Sequence, residues 1–338
     1  MLQEPHHLNL AVILGAAFLD YLIGDPWSWL HPVQVMGAWI SRIHRLLYRC
    51  CGVGWPRRLA GVGLGLSTIL GSAAISWGLV WGATQLQVYL GMGVAMILLA
   101  SCLAARSLHQ AAWDVVRPLQ AGDLVTARIH LSCYVGRDTA DLSEPEILRA
   151  VLETVAENTT DGVTGPLFYG LLGLWTGVGA VPLAMAYKAA STLDSMVGYR
   201  REPYTDLGWF SAQLEDRLTW LPCRLTVGAI ALLSGHSRQV WRLCARDAPQ
   251  DPSPNSGWSE CAYAAALGVQ LGGENRYQGV MKVKPRLGDP EQAITVEVVV
   301  RALGLLRWVC WLWLGVGVVV SGFVMGWFSE FGIRNLEF

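Results

Sequence analysis

Charged residues are scarce in this chain of 338 residues, at 15% against the ~25% that is usual in soluble domains. Hydrophobic residues make up 53% and the mean hydropathy is +0.36. Basic residues form no concentrated stretch and the net charge is −1, so no nucleic acid partner is expected. This balance predicts a single membrane-embedded domain over residues 1–338, with polar loops between apolar segments.

Several signatures of known sites are also missing. None of the eight cysteines forms a C-x-x-C pair, which argues against a zinc site or a disulfide framework. The sequence has no G-x-x-x-x-G-K-[ST] loop, no G-x-S-x-G elbow and no H-E-x-x-H pair, so the common nucleotidase, hydrolase and metalloprotease motifs are excluded. Residues 1–9 contain no Lys or Arg, so the apolar stretch after them is expected to stay as a membrane helix rather than act as a signal peptide.

Long apolar runs are present instead. A membrane helix needs about 20 mostly apolar residues, and four segments meet or approach this length: residues 8–24, 59–83, 89–105 and 303–327. Basic residues after the first segment place that loop in the cytoplasm and both termini outside. The localisation expected is the cytoplasmic membrane, with the active site facing the cytoplasm.

Two further apolar segments, residues 165–186 and 225–234, do not fit as full crossings. The first is rich in Gly and Pro, and a crossing there would place the basic loop 187–224 outside, against the positive-inside rule. Irregular backbone is tolerated at membrane depth where protein covers it. We therefore expect an all-α polytopic membrane protein with about four full crossings, re-entrant or buried helices, and cytoplasmic helical loops over 106–164, 187–224 and 235–302.

Strand-like alternation is confined to residues 294–300. A helix is expected to begin near Asn255 or Ser256, after a Pro-rich loop, and to end at the Gly272–Gly273 pair. The free backbone N–H groups at its start could receive an anion. The alternative is a rigid connector with an ordinary N-cap.

The segment at residues 143–166 carries the clearest acidic pattern. Ser143 and Glu146 form a capping box, which predicts that a helix begins near residue 144. Glu153, Glu157 and Asp161 then follow at spacings of four and would share one face of this helix. A bound Mg²⁺ would relieve their mutual repulsion, whereas the alternatives are a solvated acidic face or pairing with an arginine one turn earlier.

Two other segments contain candidate site residues. Between residues 187 and 201, Lys188 and Arg200 could hold phosphate groups and Asp194 could serve as a base or metal ligand; the basic residues could equally be anchors at the membrane interface. Near the first apolar segment, Asp25 and His31 are either site residues or interfacial residues where the helix ends.

Taken together, these segments resemble the adenosylcobinamide-phosphate synthase family of cobalamin biosynthesis. The strings that carry the resemblance occur in the family's order: LD, GDP and HPV within residues 19–33, RDT at 137–139, ETVAENTTDG at 153–162, LDSMVGYR at 193–200, and DAP followed by PSPNSGW at 247–258. The resemblance covers residues 19–288. It assigns no task to the basic string GVMKVKPRLG at 279–288.

This resemblance implies an ATP-dependent ligase that joins adenosylcobyric acid to aminopropanol or its O-phosphate, through an acyl phosphate. Carried over by position, Mg²⁺ would lie on Glu153, Glu157 and Asp161. Asp194 would be a further partner of the ion, and Lys188, Arg200 and Arg137 would hold phosphate groups. Polar groups of the substrate would be oriented by Asn158, Asn255 and Ser256, together with Asp25 and His31.

The partners expected from this reading are the adenosylated corrinoid, the amino alcohol, membrane lipid and other enzymes of the corrinoid pathway. Two readings from other classes remain open. One is a corrinoid transporter, since broken apolar segments can mark a midplane site. The other is a non-catalytic membrane scaffold that binds the corrinoid and recruits soluble enzymes.

Overall fold

The computed structural model describes residues 6–24 and 31–330. The prediction of an all-α membrane protein is confirmed, with one small sheet added. The helices are, in order, α1 His6–Leu22, α2 Pro32–Cys50, α3 Trp55–Leu86, α4 Val88–Ala100, α5 Ala105–Gln120, α6 Leu124–Ser132, α7 Glu144–Thr159, α8 Gly165–Thr176, α9 Ala180–Val197, α10 Trp209–Ser234, α11 Ser237–Asp247, α12 Ser256–Leu267 and α13 Val296–Glu330. The two strands are β1 Leu271–Tyr277 and β2 Val280–Leu287.

Among the residues that the structure describes, three stretches are long and apolar enough to cross a membrane: Trp55–Leu86, Val88–Gln120 and Val296–Val324. At most a third of the residues in each apolar window are buried by protein, so most of their apolar side chains face outward, as lipid contact requires. A shorter apolar helix covers Leu10–Leu22. The three long stretches overlap the predicted crossings, and the count of four stays a prediction.

Residues 165–186 form two helices rather than one, as expected of a segment that does not cross in a single pass. The break between α8 and α9 contains Gly177 and Gly179, whose φ angles of 76° and 110° are in the region that favours glycine. Most side chains of α8 and α9 are buried by protein. The second such segment, 225–234, is the C-terminal part of α10.

The chain divides into two compact units. The first comprises Met1–Leu103, Gly165–Leu218 and Leu312–Phe338. Within it, α3 and α9 pack closely, as do α8 and α9. Small residues allow the α8–α9 approach, as is usual between membrane helices: a methyl group at Gly165 of α8 would lie 2.4 Å from the hydroxyl oxygen of Tyr187 on α9.

The second unit comprises Ala104–Thr164 and Thr219–Trp311. Its core is built where α7 packs on α5, α6 and α12. Beside them lies an antiparallel hairpin of β1 and β2, whose two-residue turn has positive φ at Gln278 (51°) and Gly279 (78°), the pattern of the turns that suit hairpins.

Local predictions had mixed outcomes. The capping box of Ser143 and Glu146 is present and α7 begins at residue 144; α12 begins at Ser256, with Asn255 as its N-cap. The prediction of a strand at residues 294–300 was wrong, because helix α13 begins at Val296.

The Gly272–Gly273 pair does not end a helix either. Gly268, with φ of 65°, ends α12 in the left-handed conformation. Gly272 and Gly273 lie in β1 instead.

Candidate active site

Glu153 lies at the centre of the acidic motif and is held between two arginines. Arg137 donates to its Oε2 and Arg149, one turn earlier on α7, donates to its Oε1. The backbone N–H of Gly272 also donates to Oε1, at 3.0 Å. The Glu153 side chain is 3% exposed. These donors satisfy both oxygens of the buried carboxylate.

The hairpin completes the surroundings of the two arginines. Arg149 donates to the carbonyl oxygens of Gly272 and Glu274. Asn275 is 3% exposed, and its Oδ1 accepts from Nη1 of Arg137 at 2.7 Å and from Nη2 of Arg149 at 3.2 Å. This network joins α7, the RDT string and β1.

A second ion pair lies between the hairpin and α12. Nζ of Lys284, on β2, is 3.2 Å from Oε1 of Glu260; the Lys284 side chain is 30% exposed and the Glu260 side chain 0%. Burial raises the pKa of Glu260 to about 8, against the opposing charge of Lys284. Burial lowers the pKa of Lys284, but the carboxylates of Glu260, Glu157, Glu153 and Asp251 together outweigh this and raise it overall.

Glu157 lies one turn after Glu153 on α7, close enough to Lys284 and Glu260 for their charges to act on it. Burial raises the pKa of Glu157; the charge of Lys284 opposes that change, and the carboxylates of Asp251 and Glu153 add to it. A carboxyl group whose pKa is raised by burial among fixed charges is a common feature of functional sites.

Hydroxyl groups connect α7 with α12. Ser259 donates to the carbonyl oxygen of Ala156 at 2.5 Å and lies 3.1 Å from the hydroxyl of Thr160. Thr159 and Tyr263 share a hydrogen bond of 2.9 Å. After Thr159 the helix widens into a π-helical turn over Thr160–Thr164, which is a frequent feature of functional sites.

The Pro-rich loop before α12 is tightly ordered around two polar side chains. Oδ1 of Asp251 accepts from the backbone N–H of Ser253 at 2.8 Å. Asn255 is buried, and its Oδ1 accepts from Arg224 at 2.9 Å. The Arg224 guanidinium in turn lies 4.9 Å from the ring of Trp220 and 4.7 Å from the ring of Trp258.

The structure brings most of the predicted site residues into one unit. The second unit contains Arg137, Glu153, Glu157, Asn158, Asp161, Asn255 and Ser256. The first unit contains His31, Lys188, Asp194 and Arg200. There Arg200 is exposed, and His31 is the N-cap of α2, with Nδ1 accepting from Val33. Asp25 lies outside the described residues.

Sequence reasoning missed three side chains of the charged cluster around Glu153 and Glu260, namely Glu260, Asn275 and Lys284, and it also missed Arg224 beside the Pro-rich loop. For Glu260 a signal existed, since it is the single acid within the apolar run that forms α12, and such acids are costly unless paired. Lys284 lies in the basic string to which no task was assigned. The pairing of these two residues depends on the hairpin, which the sequence did not predict.

Glu153, one of the three carboxylates predicted to bind magnesium, already has partners on both oxygens. Both oxygens of Glu153 already accept from arginines and a backbone N–H, so its contacts do not fit a metal ligand. Among residues 6–24 and 31–330, no group of three His, Cys, Asp or Glu side chains is arranged to hold a metal ion. A three-carboxylate site at residues 153, 157 and 161 therefore does not fit the observed geometry.

Comparison with known proteins gives consistent matches over most of the chain. The relatives include the cobalamin biosynthesis protein CobD of Synechocystis, 56% identical over 95% of this chain and 96% of the relative. They also include CobD of Pelobacter propionicus, 45% identical over 84% and 86%, and CbiB of Salmonella typhimurium, 42% identical over 86% and 90%. No solved structure matches the chain.

A family model described as CobD/Cbib protein matches residues 13–306. This range contains the acidic motif, the Pro-rich loop, the hairpin and all the residues of the cluster. With this match and relatives of such identity, the chain belongs to the CobD/Cbib protein family.

Proposed function

We propose that this protein acts in cobalamin biosynthesis as an ATP-dependent amide ligase that joins adenosylcobyric acid to (R)-1-amino-2-propanol O-phosphate or aminopropanol. The family and the names of its relatives support the pathway. The amide chemistry is supported by one observation above others. Glu157 and Glu260, two carboxylates with raised pKa values, lie in one cluster with the cation of Lys284.

Amide formation in water needs an activated acid and an uncharged amine. The acid would be activated as an acyl phosphate at the expense of ATP. An amine is protonated at neutral pH, so a nearby carboxylate must accept its proton before attack. A carboxylate whose pKa is near the working pH is best suited to this task, and Glu260, whose pKa is raised to about 8, meets that condition.

Fixed positive charge would stabilise the transferred phosphate. Arg137 already contacts Glu153 and Asn275. We therefore propose that it orders the cluster and that its charge stabilises the phosphate without a direct contact. Lys188 and Arg200 belong to the other unit, and their phosphate contacts, like a role for Asp194, stay predictions. Asn158, Asn255 and Ser256 are proposed to orient polar groups of the corrinoid.

Magnesium, in this proposal, is bound without Glu153. Mg²⁺ is commonly held by one or two carboxylates together with substrate phosphates and water, and Glu157 and Asp161 are the oxygen donors of the acidic motif that would serve. When bound, the ion would offset the negative charge of the phosphates. The site is proposed to face the cytoplasm, with the apolar helices in the cytoplasmic membrane.

The direct test is product formation by the purified protein in detergent. Adenosylcobyric acid, aminopropanol phosphate, Mg²⁺ and ATP are supplied, and the corrinoid is followed by mass. We expect a product that carries the aminopropyl phosphate and requires both ATP and Mg²⁺. Glu157→Ala and Asp161→Ala should lose product while retaining the unfolding temperature of the parent protein.

One observation keeps a second candidate in view. The break between α8 and α9 resembles the discontinuous helices that line transport sites. A corrinoid transporter or scaffold would retain adenosylcobyric acid but form no product, and Glu157→Ala would leave that retention unchanged.

A further inference from the structure

Two carboxylate oxygens in the second unit are buried without a hydrogen-bond partner among the described residues. They are Oε2 of Glu260 and Oδ2 of Asp251. Each residue uses its other oxygen: Oε1 of Glu260 faces Lys284 and Oδ1 of Asp251 accepts from Ser253. A buried carboxylate oxygen that lacks a donor costs free energy, so this arrangement indicates a donor that binds from outside.

The charges of the cluster point to a positively charged donor. Its four carboxylates are Glu153, Glu157, Asp251 and Glu260. Its three cations are Arg137, Arg149 and Lys284, and the ion pairs of the two arginines are with Glu153. Lys284 is therefore the cation that remains for the other three carboxyl groups, and the group carries one excess negative charge when Glu157 and Glu260 are both ionised. A bound monovalent cation would balance that charge and favour the ionised forms.

The chemistry of the two oxygens favours an ammonium group over a metal ion. An ammonium group has three N–H donors, which suits two carboxylate oxygens from different elements. Mg²⁺ demands octahedral geometry and keeps several waters, whereas the Glu260 side chain is enclosed by protein. Lys284, the partner of Glu260, keeps 30% of its side chain exposed, so the pair extends to the surface of the unit.

We propose that Glu260 and Asp251 bind the ammonium group of the amino-alcohol substrate, and that Glu260 then accepts its proton. In that step an N–H bond breaks, the proton moves to Oε2 of Glu260, and the electron pair stays on nitrogen as the nucleophile. This inference rests on the proposed ligase function and assigns the amine to particular residues. The raised pKa of Glu260 agrees with a carboxylate that can accept and release a proton near neutral pH.

The test compares two ligands that differ in the amine alone. Purified full-length protein is titrated calorimetrically with 1-amino-2-propanol O-phosphate and with isopropyl phosphate, which lacks the amine. We expect the parent protein to bind 1-amino-2-propanol O-phosphate at least about tenfold more tightly than isopropyl phosphate. A tenfold difference in Kd corresponds to about 1.4 kcal/mol of binding free energy. Glu260→Gln should bind both ligands equally. Glu291→Gln, at an exposed acid that contacts Gln239, should keep the preference.

Several outcomes would overturn the assignment. The parent protein could show no preference for the amine, or Glu260→Gln could retain it. Mg²⁺ titrated alone could bind the parent protein and not Glu260→Gln, which would make the site a metal site. If Glu260→Gln does not fold, Asp251→Asn is measured in the same way. An Asp251→Asn variant that still prefers the amine-bearing ligand would contradict the proposal.

The ligase proposal fails separately. If the parent protein forms the amide while Glu260→Gln retains its amine preference, this inference is wrong and the ligase stands. If no product forms but the amine binds through Glu260, the ligase is wrong and the amine site stands.

Discussion

The carboxylate of Asp138 accepts the backbone N–H of Gly279 at 2.7 Å, across 141 positions of the chain. Its other oxygen accepts the N–H of Gln278 at 3.0 Å, and its own N–H donates to the carbonyl oxygen of Arg276. The middle residue of the RDT string thus fixes the turn of the hairpin. Because the hairpin supplies Asn275 and Lys284, Asp138 supports the cluster from a distance.

Asp138→Ala should loosen the hairpin. The turn would lose two acceptors for backbone N–H groups, and we expect a destabilisation of about 1 kcal/mol together with faster proteolysis within residues 271–287. Thermal unfolding and limited proteolysis in detergent would measure both. Asp141→Ala is the matched control, because Asp141 is 86% exposed in its pair with Arg276. Equal behaviour of the two variants would contradict the role of Asp138.

Glu153→Gln should be far more destabilising than its size suggests. The substitution keeps the shape but leaves Arg137 and Arg149 without their buried counter-charge. Removing one partner of a buried pair costs roughly 3–5 kcal/mol. The control is Glu202→Gln, whose side chain is 59% exposed in its pair with Arg57, and exposed pairs contribute about 0–1 kcal/mol. A small loss at residue 153, measured as the unfolding temperature, would show that the cluster does not depend on this pair.

The local features of the site could be predicted from the sequence because their signals lie within a few residues. The capping box of Ser143 and Glu146 and the start of α12 at Ser256 both follow from such signals. The spacing of Glu153 and Glu157 also identified the acidic face. Each of these depends on backbone rules that operate over one or two turns.

The partners of these residues could not be predicted, because they come from distant parts of the chain. Glu153 meets Gly272 across 119 positions, through a hairpin whose strands lack clean alternation: in β2 the side chains at Val280, Met281, Lys282 and Val283 are all exposed. The two glycines of β1 gave a helix-end signal instead. Without the hairpin, the counter-charge visible beside the acidic stripe was a single arginine one turn earlier, and a metal ion was the expectation for the remaining carboxylates.

Gly61→Ala and Gly63→Ala test the packing of the first unit within a single helix. A methyl group at residue 61 would lie 2.2 Å from the carbonyl oxygen of Leu207, whereas a methyl group at residue 63 meets nothing within 4 Å. We expect Gly61→Ala to lose about 1–3 kcal/mol through overpacking. Gly63→Ala should be neutral or slightly stabilising, since alanine favours helix. Similar unfolding temperatures for both variants would contradict this packing.

The pH dependence of stability tests the environment of Glu260. Burial raises its pKa from the ordinary value of 4.5 to about 8. Between these two values the folded protein binds a proton that the unfolded chain has released, so its stability should fall as the pH rises through this window and level off above it. Unfolding temperatures between pH 5 and 9 would show this fall.

Glu260→Gln cannot titrate at that position, so its unfolding temperature should change less over the same range of pH. Glu291→Gln should keep the slope of the parent protein, because residue 291 is exposed. The slope that remains in Glu260→Gln would report Glu157, whose pKa is also raised by burial. An identical slope in Glu260→Gln and the parent protein would mean that Glu260 stays charged throughout, held so by Lys284, and would remove the proton acceptor from the mechanism.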